Sequence, residues 1–299
     1  MPRLPFRIPL SATPSPAPFK SLLFKGLPVV SLILVATQAC APAPSEQSSS
    51  GVAEPAATTS AAETGEGSTA EGDSWTVAPS PELPQDRPLV AGFVVTDGVY
   101  NTELAGPWDI LQHSVYQIQP GIVTVAISPD GEPITTAEGL RLIPDHGFAD
   151  APALDILVVP SAEESRGADR ENDALVGFIA ERGQQARYVM SLCWGAFLLA
   201  EAGLLDDRAA TTFPPDQPGL ADAFPRVDVR QGMSFVHDGP ALTSQGGVES
   251  YTAAMYLLDH LYGPEVAAGV GGGLLIPWPP ESGSVEAVVL TPEARDAAD

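Results

Sequence analysis

The stretch Arg187–Thr212, RYVMSLCWGAFLLAEAGLLDDRAATT, decides how this chain folds. Tyr188–Leu192 reads as a short strand that runs directly into Cys193-Trp194-Gly195-Ala196 and then into a helix over Phe197–Ala202. So short a junction is a tight elbow, and Gly195 and Ala196 are small where the backbone must come close. In an α/β sheet, ligands bind at the carboxyl ends of the strands. A side chain on the elbow is presented there, and a following helix N-terminus favours its anionic form. Cys193 holds that position. Its placement fits either a reactive thiol or a buried cysteine packed like a small hydrophobe.

Outward from the elbow, the same alternation repeats. Leu89–Val95 (LVAGFVV) is a β-branched strand, and Leu104–Gln117 carries apolar residues at helical spacing, with Trp108, Leu111 and Val115 on one face. Ile122–Ile127 is a strand, and Pro133–Thr136 and Leu140–Pro144 form a hairpin around Glu138-Gly139. Asp155–Pro160 (DILVVP) is an apolar run of the kind buried on both faces of a parallel sheet. A helix over Asn172–Arg182 has Asn172 as its N-cap. Ala209–Thr212 and Ala241–Ser244 are short strands, and Gly247–Leu261 is an apolar helix. The Gly269–Gly273 run reads as a C-terminal turn. Strands alternating with helices predict a doubly wound, mostly parallel α/β sheet flanked by helices over residues 89–280, with 281–299 as a tail.

Four motifs, in order, carry a family resemblance: Glu103-Leu104-Ala105-Gly106-Pro107-Trp108 after the first strand, Asp155–Pro160, the elbow stretch, and Gly246-Gly247-Val248-Glu249-Ser250 before a long helix. Together they resemble the DJ-1/PfpI superfamily, within the class I glutamine amidotransferase-like, flavodoxin-like fold. The similarity is greatest to the branch of isonitrile hydratases and the ligand domains of AraC-type regulators. The resemblance implies that Cys193 is the reactive thiol and that Glu103 sits beside it. A carboxyl and a thiol in contact cannot both ionise cheaply, so the pair can pass a proton while sulfur attacks an electrophilic carbon. From its position alone, Glu103 also fits a carboxylate at the start of its helix.

Three departures from the family pattern bear on chemistry. Many relatives carry a histidine after two threonines, whereas this chain reads Thr211-Thr212-Phe213-Pro214, and Phe213 cannot move a proton. Ser161 and Ala162 stand where relatives often have two glycines; their backbone N–H groups are the oxyanion candidates. Trp194 follows the nucleophile where hydratases tend to have a small polar residue, so it narrows the pocket. A glutaminase-type amidase is disfavoured and hydratase-type chemistry, which needs only thiol and acid, survives best. The alternative is a small-molecule-binding or thiol redox-sensing domain that has lost the family histidine. No phosphate loop, zinc signature or dinucleotide fingerprint is present, so no cofactor or metal is expected. Relatives are often homodimers, which lets a second copy help line the site.

Charge and the N-terminus complete the reading. The 299 residues hold 14 Lys+Arg against 38 Asp+Glu, a formal charge of −24. Both lysines precede Cys40; after it stand ten arginines and all the acids. Such acidity argues against nucleic acid as a partner and fits a chain working at high ionic strength, as in a halophile, although codon bias also explains arginine without lysine. Residues 1–25 are basic, and Leu27–Ala36 is an apolar run too short to span a bilayer, followed by Thr37-Gln38-Ala39-Cys40. Residues 1–39 resemble a bacterial lipoprotein signal, which implies lipid on Cys40; ordinary secretion and an uncleaved anchor are the alternatives, and all three export the protein. The Ala/Pro/Ser/Glu-rich stretch 40–88 reads as a disordered tether. The protein is thus expected to be exported to the cell envelope or periplasm and to meet a membrane only through the Cys40 anchor. Metabolic labelling with a palmitate analogue in a bacterial host tests this: the full chain should incorporate label and fractionate with membranes, and Cys40→Ser should lose both.

Overall fold

A computed structural model describes residues 77–290. In chain order the elements are β1 (Leu89–Val94), α1 (Asn101–His113), β2 (Ile122–Ser128), β3 (Ile134–Thr135), β4 (Arg141–Leu142), β5 (His146–Gly147), β6 (Ile156–Val159), α2 (Asp173–Gln185), β7 (Tyr188–Leu192), α3 (Gly195–Glu201), β8 (Ala209–Ala210), α4 (Gln217–Ala223), β9 (Asp228–Val229), β10 (Phe235–Asp238), β11 (Ala241–Ser244), α5 (Glu249–Tyr262), α6 (Pro264–Leu274) and β12 (Ala287–Leu290). Eight strands form one sheet in the order β12-β10-β11-β7-β6-β1-β2-β5. Every neighbouring pair is parallel except β10 with β11. The expected doubly wound, mostly parallel α/β sheet is what the chain forms.

Period-two alternation divides the apolar strands between two cores. Leu89, Ala91 and Phe93 of β1, Ile156 and Val158 of β6, and Tyr188, Met190 and Leu192 of β7 pack with α1, α5 and α6. Leu157, Val159 and Val189 point the other way, onto α2, α3 and α4. That is why DILVVP has no polar face: both sides of the strand are covered. Burying a side chain such as Phe93 completely contributes about 1.5–3 kcal/mol. α2 begins where its cap predicts, with Asn172 Oδ1 accepting from the N–H groups of Ala174 (3.1 Å) and Leu175 (3.2 Å).

Several boundaries differ from the sequence reading. α1 starts at Asn101 and gives way after His113 to a 3₁₀ turn, Ser114–Tyr116, which holds Val115. Its buried face is Glu103, Leu104, Pro107, Ile110 and Leu111, with Trp108 at the margin against Phe93. Only Ala209 and Ala210 of the expected strand pair, and they do so with β9 in a separate small sheet. β5 has only two residues, and β10 (FVHD) ends in two polar side chains, so neither carries an apolar strand pattern. Gly269–Gly273 is not a turn but lies within α6, because the absence of side chains lets this helix pack closely. A β-carbon on Gly269 would lie 2.4 Å from Gln117 Oε1, and one on Gly271 would lie 2.4 Å from Ile276 O. The turn comes later, at Leu275 in the left-handed region (φ 59°). β12, in the stretch expected as a tail, adds the edge strand beside β10.

The end of the expected tether is docked on the sheet. Val77 and Leu83 pack against the α1/α5 core. Arg87 makes two bonds to Asp155, of 2.6 and 2.8 Å, and the Val90 N–H makes a third at 3.0 Å. Burial pushes the Asp155 carboxyl up, yet Arg87 and the Val90 N–H outweigh it and hold it below the usual range. Ala78 meets a buried network between α5 and the sheet. Its N–H reaches Tyr256 Oη (3.4 Å), and its carbonyl accepts from His260 Nδ1 (3.0 Å). Tyr188 Oη donates to His260 Nε2 (2.8 Å), and Tyr256 Oη donates to His237 Nδ1 (2.7 Å). His237 Nε2 then donates to Gly239 O (2.9 Å), so both rings are satisfied in their neutral form.

Burial, then the neighbouring His260, pushes His237 from its ordinary 6.5 down to about 4. Between those values the unfolded chain binds a proton that the folded chain refuses. Folded-state stability therefore falls as pH drops through this window, by about 3 kcal/mol in total. His237→Gln removes this contribution. The stability difference between wild type and His237→Gln, from urea melts, should shrink as pH falls from about 7 to 4.5; a constant difference would contradict the assignment.

Candidate active site

The elbow brings together four segments at the carboxyl ends of β1, β6, β7 and β11. Cys193 lies between β7 and α3 with φ 53°, a left-handed conformation that a cysteine adopts only under constraint. The constraint is explicit. The Cys193 N–H donates to Ser244 O (3.0 Å), and the Cys193 carbonyl accepts from Thr212 Oγ1 (2.7 Å). Gly195 must lack a side chain, since a β-carbon there would sit 1.9 Å from Val159 O. Gly246, at φ 90°, leaves a gap whose imagined β-carbon would lie 2.2 Å from Cys193 Cβ and 2.8 Å from Glu103 Oε1. The two side chains therefore meet across the space that Gly246 vacates.

Glu103 projects from the first turn of α1 and is only 5% exposed. Its Oε2 accepts from the Ser161 N–H (3.1 Å) and, in a closer contact, from Ser161 Oγ. Its Oε1 accepts from the Gly247 N–H (3.2 Å). Three donors thus hold this buried carboxyl in one orientation. Cys193 is 7% exposed, and its side chain faces Glu103 across the gap left by Gly246. Burial pushes the thiol well above its ordinary range, and the Glu103 charge adds to this; Ser161 and the Trp194 N–H pull the other way without prevailing. The expectation that a helix N-terminus favours the thiolate is thus reversed: α3 is only seven residues long, and burial beside an acid dominates. Cys193 and Glu103 thus form a buried thiol–carboxyl pair across the Gly246 gap.

Ser161 and Ala162 do not act as expected. Neither N–H is open to an oxyanion: that of Ser161 is given to Glu103, and that of Ala162 to Ser165 Oγ (2.7 Å). Trp194 and Phe213 do flank the elbow. Trp194 Nε1 donates to Asp216 Oδ2 (2.7 Å), while the Arg166 guanidinium lies 4.4 Å over the indole and pairs with the same carboxylate. Tyr100 and Phe213 meet the indole edge-on at 6.1 and 6.3 Å, with Phe213 40% exposed. Tyr100, Arg166 and Asp216 escaped the sequence reading because no spacing links them; only packing gathers them on Trp194. Among the histidines, His237 and His260 belong to the buried network, and His113 and His146 pair with acids four residues away. Among the described residues, no three His, Cys, Asp or Glu side chains form a group that could hold a metal ion. Cys40 lies outside the described residues.

A family model for the DJ-1/PfpI family matches residues 90–259, which contain Tyr100, Glu103, Ser161, Cys193, Trp194, Phe213 and Gly246. The chain belongs to the DJ-1/PfpI family. Its DJ-1/PfpI domain is similar to the isonitrile hydratase of Pseudomonas putida, with 32% identity over 214 residues that cover 70% of this chain and 90% of the relative. It is also similar to the HTH-type transcriptional regulator GbdR of Pseudomonas aeruginosa, 30% identical over 145 residues, covering 48% of this chain and 38% of the regulator. Among solved structures, a THiJ/PfpI family protein from Pseudomonas syringae superposes with a TM-score of 0.57 at 23% identity, over 68% of this chain and 82% of that one. Drosophila melanogaster DJ-1beta does so with 0.55 at 21%, over 64% and 99%.

The glycine geometry of this DJ-1/PfpI elbow predicts a contrast. Gly246→Ala places a β-carbon against Cys193 and Glu103 at a positive φ and should cost about 2–4 kcal/mol. Gly247→Ala, also at positive φ (55°) but with open space around it, should cost only about 1 kcal/mol. Chemical denaturation of the two variants checks the order; equal losses would mean that crowding at Cys193 is not the constraint.

Proposed function

We propose that this DJ-1/PfpI protein is a cysteine-dependent small-molecule hydratase or lyase of the isonitrile hydratase type, with Cys193 as nucleophile and Glu103 as its acid–base partner. The observation that carries the reading is the buried thiol–carboxylate pair at the elbow. Attack on the carbon of a C≡N-type group forms a carbon–sulfur bond as the thiol proton passes to Glu103. Glu103 returns that proton to the substrate. Water then adds to the same carbon, the carbon–sulfur bond breaks, and the thiol is restored, so the net change is addition of one water. The aromatic wall of Tyr100, Trp194 and Phe213 favours a small neutral substrate over a charged one. The 32% identity to an isonitrile hydratase over most of that enzyme's length supports this class.

A second reading keeps the pocket without the chemistry: a small-molecule-binding or thiol-sensing domain. It is favoured by Phe213, which holds the place of a family histidine, and by the upward push on the thiol. Similarity to regulators is compatible with ligand binding. The acidity of the chain speaks against nucleic acid. In either case the domain is proposed to work outside the cytoplasm, anchored through Cys40.

Turnover of alkyl isonitriles and nitriles, followed chromatographically as formamide and amide, separates the readings. Cys193→Ala should abolish product formation, and Glu103→Gln should lower kcat by roughly 10²–10⁴. Unchanged turnover in both variants would overturn the enzymatic assignment. A rise in Tm with these compounds and no product would favour the binding domain.

A further inference from the structure

The carboxylate of Asp216 ties together three segments that meet around the elbow. Its Oδ2 accepts from Trp194 Nε1 (2.7 Å), and its Oδ1 pairs with the Arg166 guanidinium, which also lies 4.4 Å over the indole. The ring is thus fixed by its N–H and covered on one face. Asp216 is itself held. It ends the 3₁₀ turn Pro214–Asp216, whose prolines restrict the backbone, and its N–H donates to Phe213 O (2.9 Å). Before the turn, Thr212 Oγ1 donates to the Cys193 carbonyl (2.7 Å). After it, the buried Gln217 side chain donates to Thr211 Oγ1 (3.0 Å) and Thr212 O (3.3 Å). Arg166 follows a loop closed on itself by the Ala162 N–H to Ser165 Oγ (2.7 Å) and the Ser165 N–H to Ala162 O (3.1 Å).

We propose that Trp194 determines the size of substrate that reaches Cys193, and that Asp216 and Arg166 are positioning residues that hold its ring at the entrance. The inference rests on the reading of Cys193 as a nucleophile and narrows its substrate class to slim, unbranched electrophiles. Trp194 follows Cys193 directly, and its indole is the middle of an aromatic row, with Tyr100 at 6.1 Å and Phe213 at 6.3 Å. Tyr100 stands just before the turn of α1 that carries Glu103, and its N–H is fixed to Ser161 O (3.1 Å). Phe213 follows Thr212, which holds the Cys193 carbonyl. The row therefore runs from the Glu103 side of the site to the Thr212 side, past a thiol that is almost wholly buried. A free indole turns aside for a broad group. One tied by its N–H beneath a guanidinium must break a hydrogen bond and a cation–π contact to do so. None of these bonds is made to the Cys193 or Glu103 side chain, so the clamp acts on access rather than on the strength of the nucleophile.

The test compares alkylation of Cys193 in the full chain by iodoacetamide and by N-phenyl iodoacetamide, which carry one reactive group on bodies of different girth. Mass spectrometry reads both at the tryptic peptide that spans Tyr188–Arg208. The ratio of the two rates cancels any change in the thiol itself. Wild type should favour the small reagent. Trp194→Ala should raise the relative rate of the large one by about tenfold or more, the scale on which a pocket discriminates by size. Asp216→Ala should raise it by roughly three- to tenfold, as expected for loss of a charge-assisted hydrogen bond. Asp216→Asn, which keeps an acceptor for the indole N–H, should recover most of the wild-type ratio. Arg166 is exposed, and Arg166→Ala should shift the ratio in the same direction as Asp216→Ala. Should Trp194→Ala not fold, Asp216→Ala decides. An unmoved ratio in the folded variants, whatever the absolute rates, overturns the inference and leaves the nucleophile reading standing. A wild type closed to both reagents and opened by Trp194→Ala supports the inference. Absence of alkylation in wild type and in every folded variant, even at high pH, overturns the nucleophile reading and this inference with it.

Discussion

The left-handed backbone of Cys193 is the constraint on which the rest of the site depends. A cysteine at φ 53° costs on the order of 1–3 kcal/mol, which neighbouring structure must offset. The offset comes from a hydrogen bond to Ser244 at the end of β11, another from Thr212, and two positions where only hydrogen fits, Gly195 against β6 and Gly246 against the thiol itself. These contacts explain why β6, β7 and β11 must be neighbours in the sheet and why the elbow can hold the sulfur against Glu103 from a helix on the other side of β6.

The pair sits in an electrostatic setting that holds the proton on sulfur. Burial opposes charge on the thiol, and the adjacent carboxylate opposes it further. Glu103 meanwhile collects two backbone N–H groups and a hydroxyl. Under the proposed chemistry, this pair would carry the proton transfer that the histidine of many relatives carries, since Phe213 cannot. At the opposite end of the strands, titratable groups are used differently. Tyr188, at the start of the strand that ends beside Cys193, joins two neutral histidines in a network whose outermost partner is Ala78.

Much of this was legible in residues alone. DILVVP reads as a doubly covered strand because it has no polar face, Asn172 reads as a cap because its side chain can accept from the next turn, and the Cys193 elbow reads from a strand abutting small residues. Glu103 was named from the motif. What was not legible came from partners distant in the chain. Ser161 and Ala162 looked like free donors because a sequence lists N–H groups without showing what already occupies them. Asp216, Arg166 and Tyr100 carried no signal, since their common feature is contact with Trp194. The docking of residues 77–88 was hidden because a stretch poor in apolar residues can still be held by a few specific bonds, Arg87 to Asp155 and Ala78 to His260.

The sequence by itself determined the alternation of strands and helices, the candidate thiol and acid at Cys193 and Glu103, and the absence of the family histidine at Phe213, because each of these depends on local pattern, motif or residue type. Only the tertiary structure decided the state of the thiol, the employment of the Ser161 hydroxyl, and the inclusion of β12 and of residues 77–88 in the folded body. The physical reason is common to all three: burial, hydrogen-bond occupancy and the field at a buried charge depend on which distant groups come within a few ångströms, and that distance is set by packing rather than by position in the chain.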